Sequence, residues 1–521
     1  MSKKKNILLI MVDEERMPMH FPEDIALPAR QWLRERGVSF DNYHVTTAPC
    51  TPSRSVIFTG QHTLRTGMID NTNLGYVQDL RPEIATLGDM AAAAGYYSVY
   101  KGKWHLADIE DTQDPRTTTE VAMQQYGFND FQHDGDLLSF AREGYTHDGR
   151  VAAEALYWLD TWVNYRTEES QDRPFFLVCS FVNPHDIMTV DIDSEGTIQQ
   201  QPERAASLMP IMGPPDHALY REQYAVELCD SWRRDFNRET HESKPSAHRE
   251  FDRIFTSFFV DIPKDEAMWK AYVNYYINCY RDVDRHMMRL LQYLEDTGLD
   301  RDTIVIFTSD HGEMAGAHGL RTKGPFIYKE NNNVPLIICH PDGVKGTTTQ
   351  ALGSAVDLAP TLMSLCGLEE EQRTGFPHLF GHDLSPVVFD QDAAGTRTSL
   401  MFTYSALSMI DADFVLGLSK RFDLKKRGLL LGIRTGTHKF ARYFAPLVKT
   451  PMPTTIEVLR AEFDLELYDI AADPDEITNL ANDSAHDALL LDLNHQLNAL
   501  IRAEIGDVPL PTKVPDDLAT I

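Results

Sequence analysis

Short apolar runs alternate with amphipathic stretches through the first two-thirds of the chain. Asn6–Val12, Val38–Thr46, Tyr96–Tyr100, Phe175–Val182, Thr303–Thr308 and Val334–Cys339 are β-rich and apolar at most positions. Continuous rather than alternating runs of this kind predict strands buried on both faces. Between them, Leu27–Arg36, Glu83–Ala94, Val151–Val163, Glu266–Leu294 and Val356–Leu365 carry the helical period, and Gly95, Gly298 and Gly367 supply stop signals. A shorter apolar helix, Val56–Thr59, closes at Gly60. The alternation predicts an α/β protein with a large, mostly parallel sheet flanked by helices.

From about residue 396 the pattern changes. SLMFTYSALS, FVLGLS, LLLGIRTGTHKFARYFA and ELYDIAADPDEITNL read as short strands with turns, followed by a helix over Ala485–Ile505. The expected division is a larger domain, 1–395, and a smaller C-terminal α+β subdomain with an antiparallel sheet and a tail, 396–521. Two insertions, at about 108–147 and 187–263, interrupt the larger domain. Inserts of that length form lids, pocket walls or oligomer contacts, or only elaborate the surface. The Pro- and Asp-rich stretch after Gly506 reads as an arm or a frayed end.

Charge narrows the partners. Forty-nine basic against 78 acidic residues give a net charge of −29 over 521 residues. That balance disfavours nucleic acid and an anionic membrane surface as partners. A small anionic substrate then needs a locally positive pocket. The six cysteines (50, 179, 229, 279, 339, 366) are scattered, which fits neither a disulfide framework nor a zinc site. The opening MSKKKNILLIMVDEER meets Asp13-Glu14-Glu15-Arg16 after a short apolar run, and so reads as a first strand rather than a signal peptide. With no membrane-length apolar stretch, a cytoplasmic protein is expected.

Candidate chemistry gathers where strands end, which is where ligands bind in doubly wound sheets. Asp13 follows the first strand, and Lys103 and His105 follow Tyr96–Tyr100. His185 follows Phe175–Val182, and Asp310 and His311 follow Thr303–Thr308. Each alone has a plainer reading as turn former, cap or structural histidine. Together, Asp13, Asp310 and His311 offer hard oxygen and imidazole ligands suited to Ca²⁺, Mg²⁺ or Mn²⁺. Lys103, Lys323, Arg54, His105 and His185 supply the positive pocket. Cys50, leading into Thr-Pro-Ser at a helix start, is placed to meet an anion, since the first-turn N–H groups are unpaired there and Pro52 has none to lose. Arg54 adds a positive fork suited to sulfate or phosphate oxygens.

The string CTPSR, from Cys50 to Arg54, resembles the Cys-x-Pro-Ser-Arg modification motif of the type I, formylglycine-dependent sulfatases. NILLIMVDEE, KGKWHL, TIVIFTSDHGEMAGAHGL, RTKGPFIYKENNNVPLII, AVDLAPTLMSLCGL and ELYDIAADPDEITNLA resemble further signatures of that family, in order, from residue 6 to about 481. The resemblance implies an alkaline-phosphatase-like fold and hydrolysis of sulfate monoesters, aryl or small alkyl. It implies Cys50 as formylglycine and metal ligand, Asp13, Asp310 and His311 as ligands to one divalent ion (Ca²⁺ before Mn²⁺ or Mg²⁺), and Arg54 steadying the aldehyde hydrate. Lys103, His105, His185 and Lys323 would surround the sulfate, with His185 as proton donor, aided by Lys323, and His105 as base. A formylglycine-generating or equivalent maturation enzyme and a homo-oligomer, dimer or tetramer, belong to the same expectation.

Two departures bear on this. Where many sulfatases have paired aspartates after the first strand, this chain has Asp13-Glu14, which leaves Glu14 doubtful as a ligand. The pair Asp310-His311 resembles the branch with choline sulfatases and phosphonate monoester hydrolases, and Lys103 with His105 favours sulfate within it. A phosphonate monoester or phosphodiester hydrolase on the same site is the alternative, and a catalytically silent binding protein is the competitor of another class. Asn71, Asn73 and His318 are expected pocket residues, or parts of a structural turn around Gly75.

Overall fold

β1 (Asn6–Asp13) is buried along its whole length and sends alternate side chains into two cores. Ile7, Leu9 and Met11 enter one, and Leu8, Ile10 and Val12 the other, which is why this strand is apolar at successive positions. In the computed structural model, residues 4–17, 22, 24–109, 115–132, 135–138, 140–165, 173–192, 211–235, 244–259, 262, 265–390 and 392–506 are described. After β1 come α1 (Pro28–Arg36), β2 (Val38–Phe40), β3 (Tyr43–His44), α2 (Cys50–Thr59), α3 (Leu87–Ala93) and β4 (Tyr97–Gly102). Then follow α4 (Glu143–Asn164), β5 (Phe175–Pro184), α5 (Ser246–Phe258), α6 (Glu266–Thr297) and β6 (Thr303–Ser309). β7 (Leu336–Cys339), β8 (Thr347–Thr349), β9 (Gly353–Ser354) and α7 (Leu358–Leu365) complete this part.

The main sheet has the order β4-β5-β1-β6-β7-β2-β8. Its register sets the position of the site. Ile7 pairs with Phe176 of β5 on one side and Ile304 of β6 on the other, so the three strands also end level. Asp13 is opposite Pro184, and Val12 is opposite Ser309. The next residues, His185 and Asp310, therefore leave at the same edge as Asp13. β4 adds Lys103 there, since Gly102 pairs with Ser180. A Cβ on Gly102, whose φ is +94°, would lie 2.0 Å from the Ser180 carbonyl oxygen, so only glycine lets the two strands approach at that point.

β10 (Ser399–Tyr404), β11 (Leu429–Thr435), β12 (His438–Phe444) and β13 (Asp464–Asp469) form a four-stranded antiparallel sheet. One of its faces packs on α8 (Asp487–Glu504) through Leu490, Leu493 and Leu497. The other packs Phe402, Tyr404 and Tyr443 against Phe326 and Tyr328, in the segment joining β6 to β7.

Several elements differ from their sequence-based limits. β7 is the one strand of the main sheet that runs against its neighbours. The β6–β7 link ends at the same edge at which it began, so β7 must return in the opposite direction. Val38–Thr46 is broken by a turn at Asp41-Asn42 into β2 in the main sheet and β3, which pairs with β9. The helix expected from Glu83 begins at Leu87, where Thr86 and Asp89 form a capping box. α2 starts at Cys50 rather than Val56. FVLGLS is not a strand: Phe414 and Val415 end a one-turn helix that Asp411 caps, and Gly417 turns the chain with φ +71°. The stretch after Gly506 lies outside the described residues, among which no helix is long and apolar enough to cross a membrane.

One buried ion network joins the distant parts. Arg397 forks onto Asp357, ahead of α7, at 2.5 and 2.9 Å, and reaches Glu504 of α8 at 3.0 Å. Glu504 also bonds His62, just beyond α2, at 2.6 Å. Removing one partner of such a set leaves buried charge uncompensated. Arg397→Met is expected to destabilise the protein by about 3–5 kcal/mol, measured as a lowered midpoint in urea unfolding with an unchanged slope.

Candidate active site

The parallel register and the α2 N-terminus bring Asp13, Cys50, Asp310 and His311 together, all fully buried, with one ligand atom from each within 4.8 Å of the others. The two aspartates divide their oxygens. Asp13 Oδ2 accepts from Lys103 Nζ at 2.5 Å and Arg54 Nη2 at 3.2 Å, while Oδ1 lies 3.9 Å from Cys50 Sγ and 3.5 Å from His311 Nε2. Asp310 Oδ2 accepts from Arg54 Nε at 2.8 Å, while its Oδ1 lies 3.7 Å from His311 Nε2. His311 Nδ1 lies 3.1 Å from the Gly312 carbonyl, which can only accept, so Nδ1 carries a proton, and Nε2 faces Cys50 Sγ 3.1 Å away. Burial opposes ionisation of Asp13, but the Lys103 and Arg54 cations hold its carboxyl well below the usual range. A converging set of two carboxylate oxygens and one imidazole nitrogen fits a divalent cation such as Ca²⁺, Mg²⁺ or Mn²⁺.

Beyond Cys50 stand Lys323 and His185. Lys323 Nζ is 2.9 Å from Glu14 Oε2 and 2.8 Å from His185 Nε2, and Glu14 Oε1 accepts from Thr322 Oγ1 at 3.2 Å. Burial works against the Lys323 ammonium, but Cys50, Glu14 and Asp13 raise its pKa above the ordinary lysine value. His185 moves the other way, held well below its ordinary value by burial and then by Lys323. Lysine thus donates to a neutral imidazole. His105, with φ +57°, is likewise pushed well down by burial, Lys103 and Arg54. Both its ring nitrogens are buried without a hydrogen-bond partner, as is His185 Nδ1. Unpartnered buried nitrogens at a strand edge are what a polar ligand satisfies.

Two expectations about anion contact are corrected. The Arg54 fork is not open to sulfate oxygens: besides Asp13 and Asp310 it donates to the Lys103 carbonyl at 2.8 Å and Ser180 Oγ at 3.0 Å. Nor are two of the first-turn amides of α2 available, because Thr51 N donates to Asn71 Oδ1 at 3.1 Å and Ser53 N to the Pro49 carbonyl. The positive charge facing the pocket comes from lysines. Glu14 lies outside the four-ligand set, with its carboxylate turned to Lys323 and Thr322. Asn71 and Asn73 line a cleft that opens from Lys323, and His318 does not. Its ring is stacked on Tyr328, with centroids 3.7 Å apart.

Several supporting residues carry no sequence signal. Asp136, in the first insert, accepts from the backbone N–H groups of Trp104 and His105 and fixes the loop that presents Lys103 and His105. Ser180 lies inside an apolar strand, and Thr322 in a polar loop. Only the pairing of distant segments gives them a role.

Comparison with known proteins agrees with this geometry. The family model described as Sulfatase matches residues 5–368. An N-acetylglucosamine-6-O-sulfatase of Bacteroides thetaiotaomicron is 24% identical over 515 residues, covering 92% of this chain and 83% of that protein. A choline-sulfatase of Rhizobium meliloti is 25% identical, with 92% of this chain and 82% of that protein covered. Among solved structures, the phosphonate monoester hydrolase of Agrobacterium radiobacter superposes with a TM-score of 0.66 at 21% identity, covering 96% of each chain. That likeness concerns the fold, whereas the family match spans well over half of the sequence: this chain belongs to the sulfatase family.

Proposed function

We propose that this protein hydrolyses sulfate monoesters with the oxidised side chain of residue 50 as nucleophile. The observation that carries the reading is the convergence of Cys50 with Asp13, Asp310 and His311 beside Lys103 and Lys323, in a sulfatase-family chain. Conversion of Cys50 to formylglycine by a separate maturation enzyme supplies a hydrated aldehyde, with two hydroxyls on one carbon. A divalent ion held by Asp13, Asp310, His311 and residue 50, Ca²⁺ before Mn²⁺ or Mg²⁺, supplies Lewis-acid activation and charge screening. Six unpaired cysteines fit a cytoplasmic setting.

The chain's own residues do the rest. Lys103 and Lys323 orient the non-bridging sulfate oxygens and match their charge. The Lys323–His185 couple delivers a proton to the departing ester oxygen, with lysine as the charged member and His185 bridging from it. His105, neutral and uncommitted, accepts the proton of the second hydroxyl as sulfate leaves and the aldehyde returns. Arg54 holds the two aspartates in place and does not touch substrate.

The peptide containing Cys50, from protein co-expressed with a formylglycine-forming enzyme, is expected to be lighter by about 18 Da than its thiol form. Cys50→Ser, which lacks the second hydroxyl, should bind metal yet fail to sustain turnover; parent-rate turnover would contradict the scheme. Chelation should abolish hydrolysis and lower the melting temperature, and one of the three cations should restore both. His185→Gln is expected to lower kcat by about 10²–10⁴-fold on alkyl sulfates and less on 4-nitrophenyl sulfate, whose leaving group needs less proton assistance. Faster cleavage of a phenylphosphonate ester than of the matching aryl sulfate would transfer the site to phosphonate chemistry, which is found on the same fold.

A further inference from the structure

A cleft of about 410 Å³ opens from the candidate active site, with Pro49, Asn71, Thr322 and Lys323 at its inner end. One wall is aromatic and comes from the second insert. Phe251, Phe255 and Phe259 recur every fourth residue along α5 and its C-cap, so they fall on one helix face. Their rings form a ladder: Phe251 and Phe255 lie 5.9 Å apart at 11°, and Phe255 and Phe259 lie 4.2 Å apart at 17°. The ladder is braced from behind. Phe326 meets Phe251 edge-on at 5.1 Å, and the Arg321 guanidinium sits 4.9 Å from the Phe255 ring centre. Leu74, Tyr76, Leu407, Phe414 and Phe422 add further lining from two distant segments.

Most polar groups of this cleft are committed elsewhere, the Asn73 side chain excepted. Asp70 accepts from Tyr76 Oη, from Ser408 N and Oγ, and from Asn71 N. Thr322 donates to Glu14, Lys323 contacts Glu14 and His185, and Asn71 Oδ1 holds the Thr51 amide. A saccharide buried here would leave most of its hydroxyls without partners, which is strongly disfavoured. A flat apolar group loses nothing and gains by stacking on the ladder. The volume falls in the range of about 300–1,000 Å³ typical of drug-sized ligands, more than a single ring fills.

We propose that the organic part of the substrate is a multi-ring apolar phenol or alcohol, stacked on the Phe251–Phe255–Phe259 ladder, and that saccharide sulfates are rejected. This deepens the sulfate-ester reading and rests on it. The test uses protein with residue 50 shown to be converted. Phenyl sulfate, 2-naphthyl sulfate and the 3-sulfate of a phenolic steroid have similar leaving groups, so their kcat/KM values compare binding. Each added ring is expected to raise kcat/KM by about tenfold, mainly through KM, and N-acetylglucosamine 6-sulfate is expected to fall about 100-fold or more below cyclohexylmethyl sulfate, which also expels a primary alcohol. Phe259→Ala should lower the naphthyl-to-phenyl ratio by about tenfold. Should that variant misfold, inhibition of the unaltered enzyme decides: 2-naphthol is expected to inhibit more tightly than phenol. Equal kcat/KM for one and two rings, no gain in inhibition from the second ring, or preference for the sugar ester overturns the inference while leaving the sulfatase reading intact. Failure to cleave any sulfate ester, 4-nitrophenyl sulfate included, overturns both.

Discussion

A charge inside a protein persists only where an opposite charge or a full set of hydrogen bonds meets it at short range, and Arg54 is where this molecule applies that constraint. From α2 its guanidinium reaches Asp13 at the end of β1, Asp310 after β6, the Lys103 carbonyl after β4 and Ser180 on β5. Four neighbouring strand ends are therefore tied to the helix that begins with Cys50. The planar fork matches carboxylates with fixed geometry, which a lysine does not. Each aspartate gives one oxygen to that cation and keeps the other for the cluster around Cys50.

The same pairing sets the electrostatics. Asp13 and Asp310 face the cations Arg54, Lys103 and Lys323, while burial pushes the Glu14 carboxyl beside Lys323 well above its ordinary value. A bound divalent cation makes the pocket positive inside a protein of net charge −29. Capture of an anionic ester then depends on a few buried side chains held near 3 Å from one another, and the acidic exterior does not reverse it because charges inside interact far more strongly than those across solvent. The two histidines, kept neutral by burial among lysines, are left able to accept or relay a proton at neutral pH.

In the proposed reading, chemistry and selectivity come from different parts of the chain. The reactive groups sit on strand ends and on the first turn of α2, where two packed cores leave little freedom. The cleft wall comes from the second insert and from the segment between β10 and β11. Such a division lets loops and inserts vary what is bound without disturbing the layer that does the reaction.

The order of strands and helices, the mostly parallel sheet, the change of texture near residue 396 and the residues after each strand were readable from the sequence, because burial on both faces leaves a continuous apolar run and sheet topology sends strand ends to one edge. The local breaks were not: the reversal of β7, the split of β2 from β3 and the helical turn in FVLGLS follow from connections and caps that periodicity does not encode. Nor did residue type reveal that Arg54 is spent on aspartates, that Glu14 faces Lys323, or that Asp136 and Ser180 support the site. Those roles depend on which oxygen lies within hydrogen-bond reach, and only the packing of segments 31 to 309 residues apart decides that. The aromatic ladder lay in plain view as Phe251, Phe255 and Phe259, but its position beside Lys323 is a product of the tertiary fold alone.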